Sequence, residues 1–111
     1  FKRYIAAGGR VAMGTDAGTP FNLHGANAWE LAYMVEAGMP PLDALVAGTS
    51  NAAELVEPGD RGVVRAGAAA DFLLVPGNPV DDIHAAADRT RHLAVIKGGQ
   101  TVSGSVQAIA A

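Results

Sequence analysis

The sequence predicts an α/β fold in which a terminal β/α unit is followed by an appended group of strands. Three observations carry this reading. Val11-Ala12-Met13 is short and apolar throughout, the pattern of a strand covered on both faces in a parallel sheet. Apolar residues between Asn27 and Val56 recur at helical spacing. Beyond the turn-rich stretch Glu57-Pro58-Gly59-Asp60-Arg61-Gly62, brief apolar runs lie between Gly and Pro, as strands do.

Taken in order, Phe1 to Ala7 reads as the last turns of a helix, stopped by Gly8-Gly9, which tolerate left-handed backbone. The strand Val11 to Met13 then opens into a loop, Gly14 to Ala26. Asn27 is placed to cap the next helix, with Glu30 three positions on as in a capping box and Ala28, Leu31, Ala32 and Val35 forming one stripe. Gly38 ends that helix. Pro41 suits the first position of a second, short helix carrying Leu42, Leu45 and Val46, and a third follows over Thr49 to Val56, opened by Thr49, Ser50 or Asn51.

A division into 1–57 and 58–111 falls at the turn-rich stretch. After it, Val63-Val64 and Phe72 to Val75 read as strands, and Pro79 to Ala87 as a short helix or turn. His92 to Lys97 and Thr101-Val102 flank Gly98-Gly99 as a hairpin would. A buried parallel strand such as Val11–Met13 needs neighbours on both sides, since each unpaired buried backbone group costs about 1–3 kcal/mol. The sequence therefore calls for partner strands, and the chain reads as a piece of a larger fold.

Composition narrows the function classes. A net charge of −3 in 111 residues, with basic residues scattered singly or in pairs, gives no footprint for nucleic acid. Every apolar run is interrupted well short of a membrane span, so no membrane insertion is expected. Without cysteine there is no disulfide, thiolate zinc site or thiol nucleophile. The compartment stays open, with the cytoplasm slightly favoured. Phe1-Lys2-Arg3-Tyr4 lacks the layout of a signal peptide. Neither a phosphate-binding Gly-x-x-x-x-Gly-Lys loop nor a Gly-x-Ser-x-Gly elbow is present.

The residue that draws chemistry is Asp16, an acid at the point where the apolar strand breaks into Gly14-Thr15-Asp16-Ala17-Gly18-Thr19-Pro20. Strand-end carboxylates are where barrel enzymes hold their catalytic groups, although such a segment is also an ordinary turn in which Asp bonds nearby amides. His24, in the same loop, is a candidate substrate contact or an exposed loop histidine. Trp29 and Tyr33, one turn apart, are expected to pack at a rim or interface. Asp71 is expected to bond backbone groups at a turn, and His84 and His92 to be structural or surface residues.

Three stretches together resemble the C-terminal portion of the metal-dependent amidohydrolase superfamily, in particular its imidazolonepropionase-like and prolidase-like (Xaa-Pro or Xaa-Arg dipeptidase) branch. They are Gly14-Thr15-Asp16-Ala17-Gly18 with His24-Gly25-Ala26-Asn27; Glu36-Ala37-Gly38-Met39-Pro40 with Ala44-Leu45 and Thr49-Ser50-Asn51-Ala52-Ala53; and Gly62 to Val75 with Gly77-Asn78-Pro79. Val95-Ile96-Lys97-Gly98-Gly99 closes the pattern.

The resemblance implies a (β/α)8 TIM-like barrel with a small β-sandwich. Val11–Met13 would be the eighth barrel strand, and 58–111 would hold the C-terminal strands of the sandwich. Asp16 would be a metal ligand and the catalytic proton carrier, handing a proton to the leaving nitrogen during hydrolysis of an amide, cyclic amide or dipeptide. The implied cofactor is a divalent metal, zinc by expectation, with one or two ions in the parent enzyme. The family's other ligands, a His-x-His pair, commonly a carboxylated Lys, and two single histidines, lie upstream of Phe1, and His24, His84 and His92 do not match them by spacing. The chain alone is therefore expected to be inactive. Its expected partners are a small-molecule or dipeptide substrate, together with the N-terminal barrel portion or a second copy of the chain. The alternative is a non-catalytic module that completes a barrel in trans.

Overall fold

A computed structural model describes residues 1–109. Helix α1 (Lys2–Ala6) ends where expected, with Gly8 left-handed at φ +78°. The chain then folds back under Tyr4, whose hydroxyl donates to the Arg10 carbonyl at 3.0 Å. Gly9 is required here, because a Cβ on it would lie 2.4 Å from the Tyr4 ring.

Val11–Met13 departs from expectation: it is half-buried but forms no strand ladder. Its anchors come from a helix. The Met13 N–H donates to the Ala47 carbonyl at 2.9 Å, and the Asn51 amide donates to the Val11 carbonyl at 2.8 Å. Asn51 also accepts from Arg10 through its Oδ1, at 2.9 and 3.1 Å, while Arg10 pairs with Glu54. That hydrogen bond, and then the Arg10 charge, hold the Glu54 carboxyl below its ordinary pKa. The physical reason for the missing ladder is topological: every described strand belongs to a separate sheet, so nothing lies beside Val11–Met13 to pair with it.

Helix α2 (Trp29–Glu36) starts later than the capping pattern predicts. Asn27 is no cap. A capping side chain needs an extended residue before the first turn, whereas the chain is already helical at Ala28 (φ −65°, ψ −19°), and no side chain bonds the free amides there. Leu31, Ala32 and Met34 make the buried stripe, with Val35 packed beside it. Gly38, at φ +102°, closes the helix and turns the buried Met39 back beneath it.

The two short helices expected after Pro40 are one rod. Helix α3 (Pro41–Val46) runs through a π-helical turn (Ala47–Asn51) into α4 (Ala52–Val56) without a break. Thr49 does not open a new helix: its hydroxyl bonds the Leu45 carbonyl at 2.7 Å, within the rod. At Gly48 the rod approaches its neighbours so closely that a Cβ would meet Leu31 at 2.9 Å and Met13 at 3.3 Å.

Val63-Val64 forms no strand, and Val64 is exposed. The strands that do form, β1 (Phe72–Leu74), β2 (Ala94–Lys97) and β3 (Gln100–Gly104), make one antiparallel sheet in chain order. Gly98 and Gly99, at φ +56° and +80°, form the tight β2–β3 hairpin, and a bulge sits between Val95 and Ile96. Asp71 bonds the Gly98 amide at 2.8 Å, the backbone role expected of it.

Helix α5 (His84–Ala87) lays Ala86 and Ala87, with the preceding Ile83, against α2 in one core with Ala44 and Ala47. His84 meets Trp29 edge to face with ring centroids 5.6 Å apart, and the His92 ring bonds the Ala86 carbonyl at 2.8 Å, so both histidines are structural. Arg91 pairs with Asp82 at 2.8 Å, and Asp82 also accepts from the His84 amide at 3.1 Å.

The Arg91 hydrogen bond, more than any other contact, lowers the Asp82 pKa from 3.8. A carboxyl depressed in the folded state stabilises it fully above its unfolded pKa and loses that contribution as pH falls through the folded value. Thermal unfolding followed from pH 6 to pH 2 should therefore show a drop beginning near pH 4. Asp82→Asn should flatten part of that drop, and an unchanged profile would remove Asp82 from the acid response.

Candidate functional site

Asp16 sits where the sequence places it, at the C-terminal end of Val11–Met13, with its side chain exposed. Its backbone is left-handed, φ +50°, and Phe21 at φ +66° is the other described non-glycine residue in that region. Such conformations cost of order 1–3 kcal/mol for a residue with a Cβ, less for Asp than for Phe, and persist only where surrounding contacts impose them. They cluster at functional sites.

The imposing contacts are local. Thr19 closes a tight turn through its hydroxyl, which donates to the Asp16 carbonyl at 3.2 Å. Asn22 does more: its side-chain amide donates to the Thr15 carbonyl, its own carbonyl accepts from the Gly18 N–H at 2.8 Å, and its N–H donates to the Thr19 carbonyl at 3.0 Å. His24 is folded onto the same turn. A Cβ at Gly18, whose φ is +99°, would lie 2.8 Å from His24 Nε2, so the imidazole rests on the bare Gly18 Cα.

Two hollows flank this loop. One of about 320 Å³ is lined by Thr15, Phe21, Asn22, Trp29 and Tyr33. The other, of about 290 Å³, lies between the loop and the turn after α5, lined by His24, Trp29, Asp88, Arg89 and Thr90. A larger hollow of about 660 Å³ opens among Lys2, Arg10, Asp43 and Asn51, at the opposite end of the Val11–Met13 segment from Asp16. The first two are lined by residues of the Asp16 loop, Thr15 and Asn22 in one and His24 in the other.

Asp16 and His24 thus share one loop. Among the described residues, no three His, Cys, Asp or Glu side chains gather so as to hold a metal ion. A catalytic zinc site takes three protein ligands and a water, and the exposed Asp16 carboxylate suits one of those places, while the described residues gather no others around it. The sequence reading missed Asn22 and took Asn51 only as a possible helix opening. Asn22 lies in a turn, the setting in which an asparagine side chain bonds backbone groups, whereas Asn51 reaches Val11 from within the helical rod.

The amidohydrolase family model matches residues 1–102. The chain is 37% identical over 103 residues to an ochratoxinase of Aspergillus niger, covering 90% of this chain and 21% of that enzyme. The structure of A. niger ochratoxinase matches with a TM-score of 0.79 at 36% identity, over 93% of this chain and 24% of that one. A Xaa-Pro dipeptidase with methionine bound in its active site matches with a TM-score of 0.82 at 36% identity, again over 93% and 24%. A prolidase complexed with N-methylphosphonate-L-proline gives 0.79 at 32% identity, over 94% and 25%. The chain spans about a fifth of the length of the curated relatives it matches. With residues 1–102 matched by the family model, this chain belongs to the amidohydrolase family.

Proposed function

We propose that this chain is the C-terminal part of a metal-dependent amidohydrolase that hydrolyses the C–N bond of an amide, cyclic amide or dipeptide. Residues 1–57 would contribute the end of the barrel and 58–111 strands of the accompanying β-sandwich. The observation that carries the reading is Asp16, an exposed carboxylate in a left-handed conformation at the end of the segment that the family model also spans.

When bound, a divalent ion such as zinc lowers the pKa of water to about 7 and so supplies hydroxide near neutral pH. Asp16 has two tasks beside it. Its carboxylate would help hold the ion, and it would take up the proton released by the attacking water and return it to the nitrogen as the C–N bond breaks. His24, held on the same turn, contacts the substrate from the hollow it shares with Trp29 and Arg89. A relative acting on Xaa-Pro dipeptides and another acting on ochratoxin support an amide-type substrate.

A second reading has the missing barrel portion supplied by a separate chain, in trans. Among the described residues the Ala12 N–H and C=O have no backbone partner, which calls for neighbouring strands whether they are supplied in cis or in trans. Both readings share one test. The chain joined to, or mixed with, an upstream barrel portion bearing His-x-His should hydrolyse a panel of dipeptides and N-acyl amino acids. Removal of metal by a chelator should abolish that activity and zinc should restore it. Turnover that survives complete demetallation would overturn the proposal.

A further inference from the structure

We propose that Asn22 is a positioning residue whose side-chain amide locks the Asp16 carboxylate into its working orientation. The inference rests on Asp16 being catalytic, but its evidence is separate. Asn22 grips the chain on both sides of Asp16, through the Thr15 carbonyl immediately before it and the Gly18 N–H two residues after it. The backbone of the residues between these grips is restrained from both ends. The two non-glycine left-handed residues of the described chain, Asp16 and Phe21, lie next to bonds that Asn22 makes: Thr15 precedes Asp16, and Phe21 precedes Asn22 itself.

Phe21 gains nothing visible in return for its conformation, since its side chain is fully exposed. Its backbone is bent to deliver Asn22 inward, where the amide is part-buried and bonded. A side-chain amide is suited to this task because it can donate to a carbonyl; an ionised carboxylate of the same shape cannot. His24 adds a lid over Gly18 from the other side, which ties the substrate-contact candidate to the same brace. The loop is thus a small closed frame in which the Asp16 backbone is held, so that its carboxylate projects from one fixed point before substrate arrives, the condition under which a positioned acid or base is effective.

The test uses the assembled enzyme, the chain with its upstream barrel portion in cis or in trans. Asn22→Asp keeps the shape and removes the donor. It should lower kcat by about 100-fold with KM within about twofold, as a misplaced catalytic group does. Hydrogen exchange at the Gly18 amide should quicken by about tenfold, while the Met39 amide, bonded to the Met34 carbonyl at 3.0 Å, stays protected. Phe21→Gly, which makes the left-handed turn free of steric cost, should restore part of the lost kcat in the double variant.

Wild-type kcat and wild-type Gly18 exchange in Asn22→Asp would overturn the brace, as would a loss of protection that spreads equally to Met39. Asp16→Asn is measured alongside. If it keeps full activity the functional reading fails, whereas an inactive Asp16→Asn beside a fully active Asn22→Asp removes only the brace.

Discussion

Asp16→Asn should reduce hydrolysis by the assembled enzyme by about 10²- to 10⁴-fold, the span expected when a positioned proton-transfer group is neutralised. The substitution keeps size and shape, and Asn is among the few residues that accept a left-handed backbone, so the turn held by Thr19 and Asn22 should survive. The loss should fall on kcat. Metal content should fall as well, because a neutral amide is a poorer ligand than a carboxylate. Measuring kcat, KM and bound zinc together separates the two tasks assigned to Asp16. A variant that binds full metal and lacks turnover isolates proton transfer, and one that loses both shows ligation to be shared. Unchanged kcat and unchanged metal would eliminate Asp16 from the mechanism.

The second large effect is structural and lies at the far end of the sheet. Gly104 closes β3 at φ +69°, and a Cβ on it would stand 2.0 Å from the Leu93 carbonyl oxygen and 2.9 Å from the Ala94 Cα. Both contacts are backbone, so no side chain can swing aside. Gly104→Ala should cost about 2–4 kcal/mol, adding the left-handed penalty to the displacement of the strand it strikes. In a unit of this size that corresponds to a fall in Tm of roughly 10–15 °C. The displaced residues begin β2, which pairs on both sides, so amide protection should fall across β1, β2 and β3 together. Gly67→Ala is the control: it shares a positive φ, +84°, but nothing lies within 4 Å of the added methyl, so it should cost only the conformational term. Equal Tm values for the two variants would show that the Leu93 contact carries no energy.

What could be read from the sequence divides along physical lines. Patterns that depend on one stretch of chain translated directly. Gly38 ended α2, Gly98-Gly99 made the hairpin, Asp71 bonded a turn amide, and Asp16 lay at the end of the apolar segment. Expectations that depended on neighbours fared differently. Val11–Met13 has the composition of a buried strand, yet pairing is a property of two strands, and no described strand lies alongside. Asn27 had the right type for a cap in a chain already coiled before it reached the helix proper. Thr49 looked like a helix opening because hydroxyl residues often sit there, but its hydroxyl is equally able to bond a carbonyl one turn back, and the π-helical turn lets the rod continue. In the candidate site, residue type singled out Asp16 and His24 as candidates, and the structure puts both on one turn. Asn22 was hidden because its importance lies in which carbonyl it reaches, and spacing alone does not reveal that.

The core where α2 meets α5 has a consequence for how the chain comes to be folded. The apolar stripe of Leu31, Ala32 and Met34 is covered from the C-terminal half, by Ile83, Ala86 and Ala87, more than forty residues further along. Much of the core consists of alanines, which bury little area apiece, so a partial set of contacts yields little stability. Closing a loop of that length costs chain entropy before any of those contacts forms. The Asp16 turn is held by contacts that run only from Thr15 to His24, so it does not wait for that closure. The hollow that His24 shares with Arg89 and Thr90 does wait, and a chain interrupted anywhere between Val56 and Ile83 would keep the turn and lose that hollow.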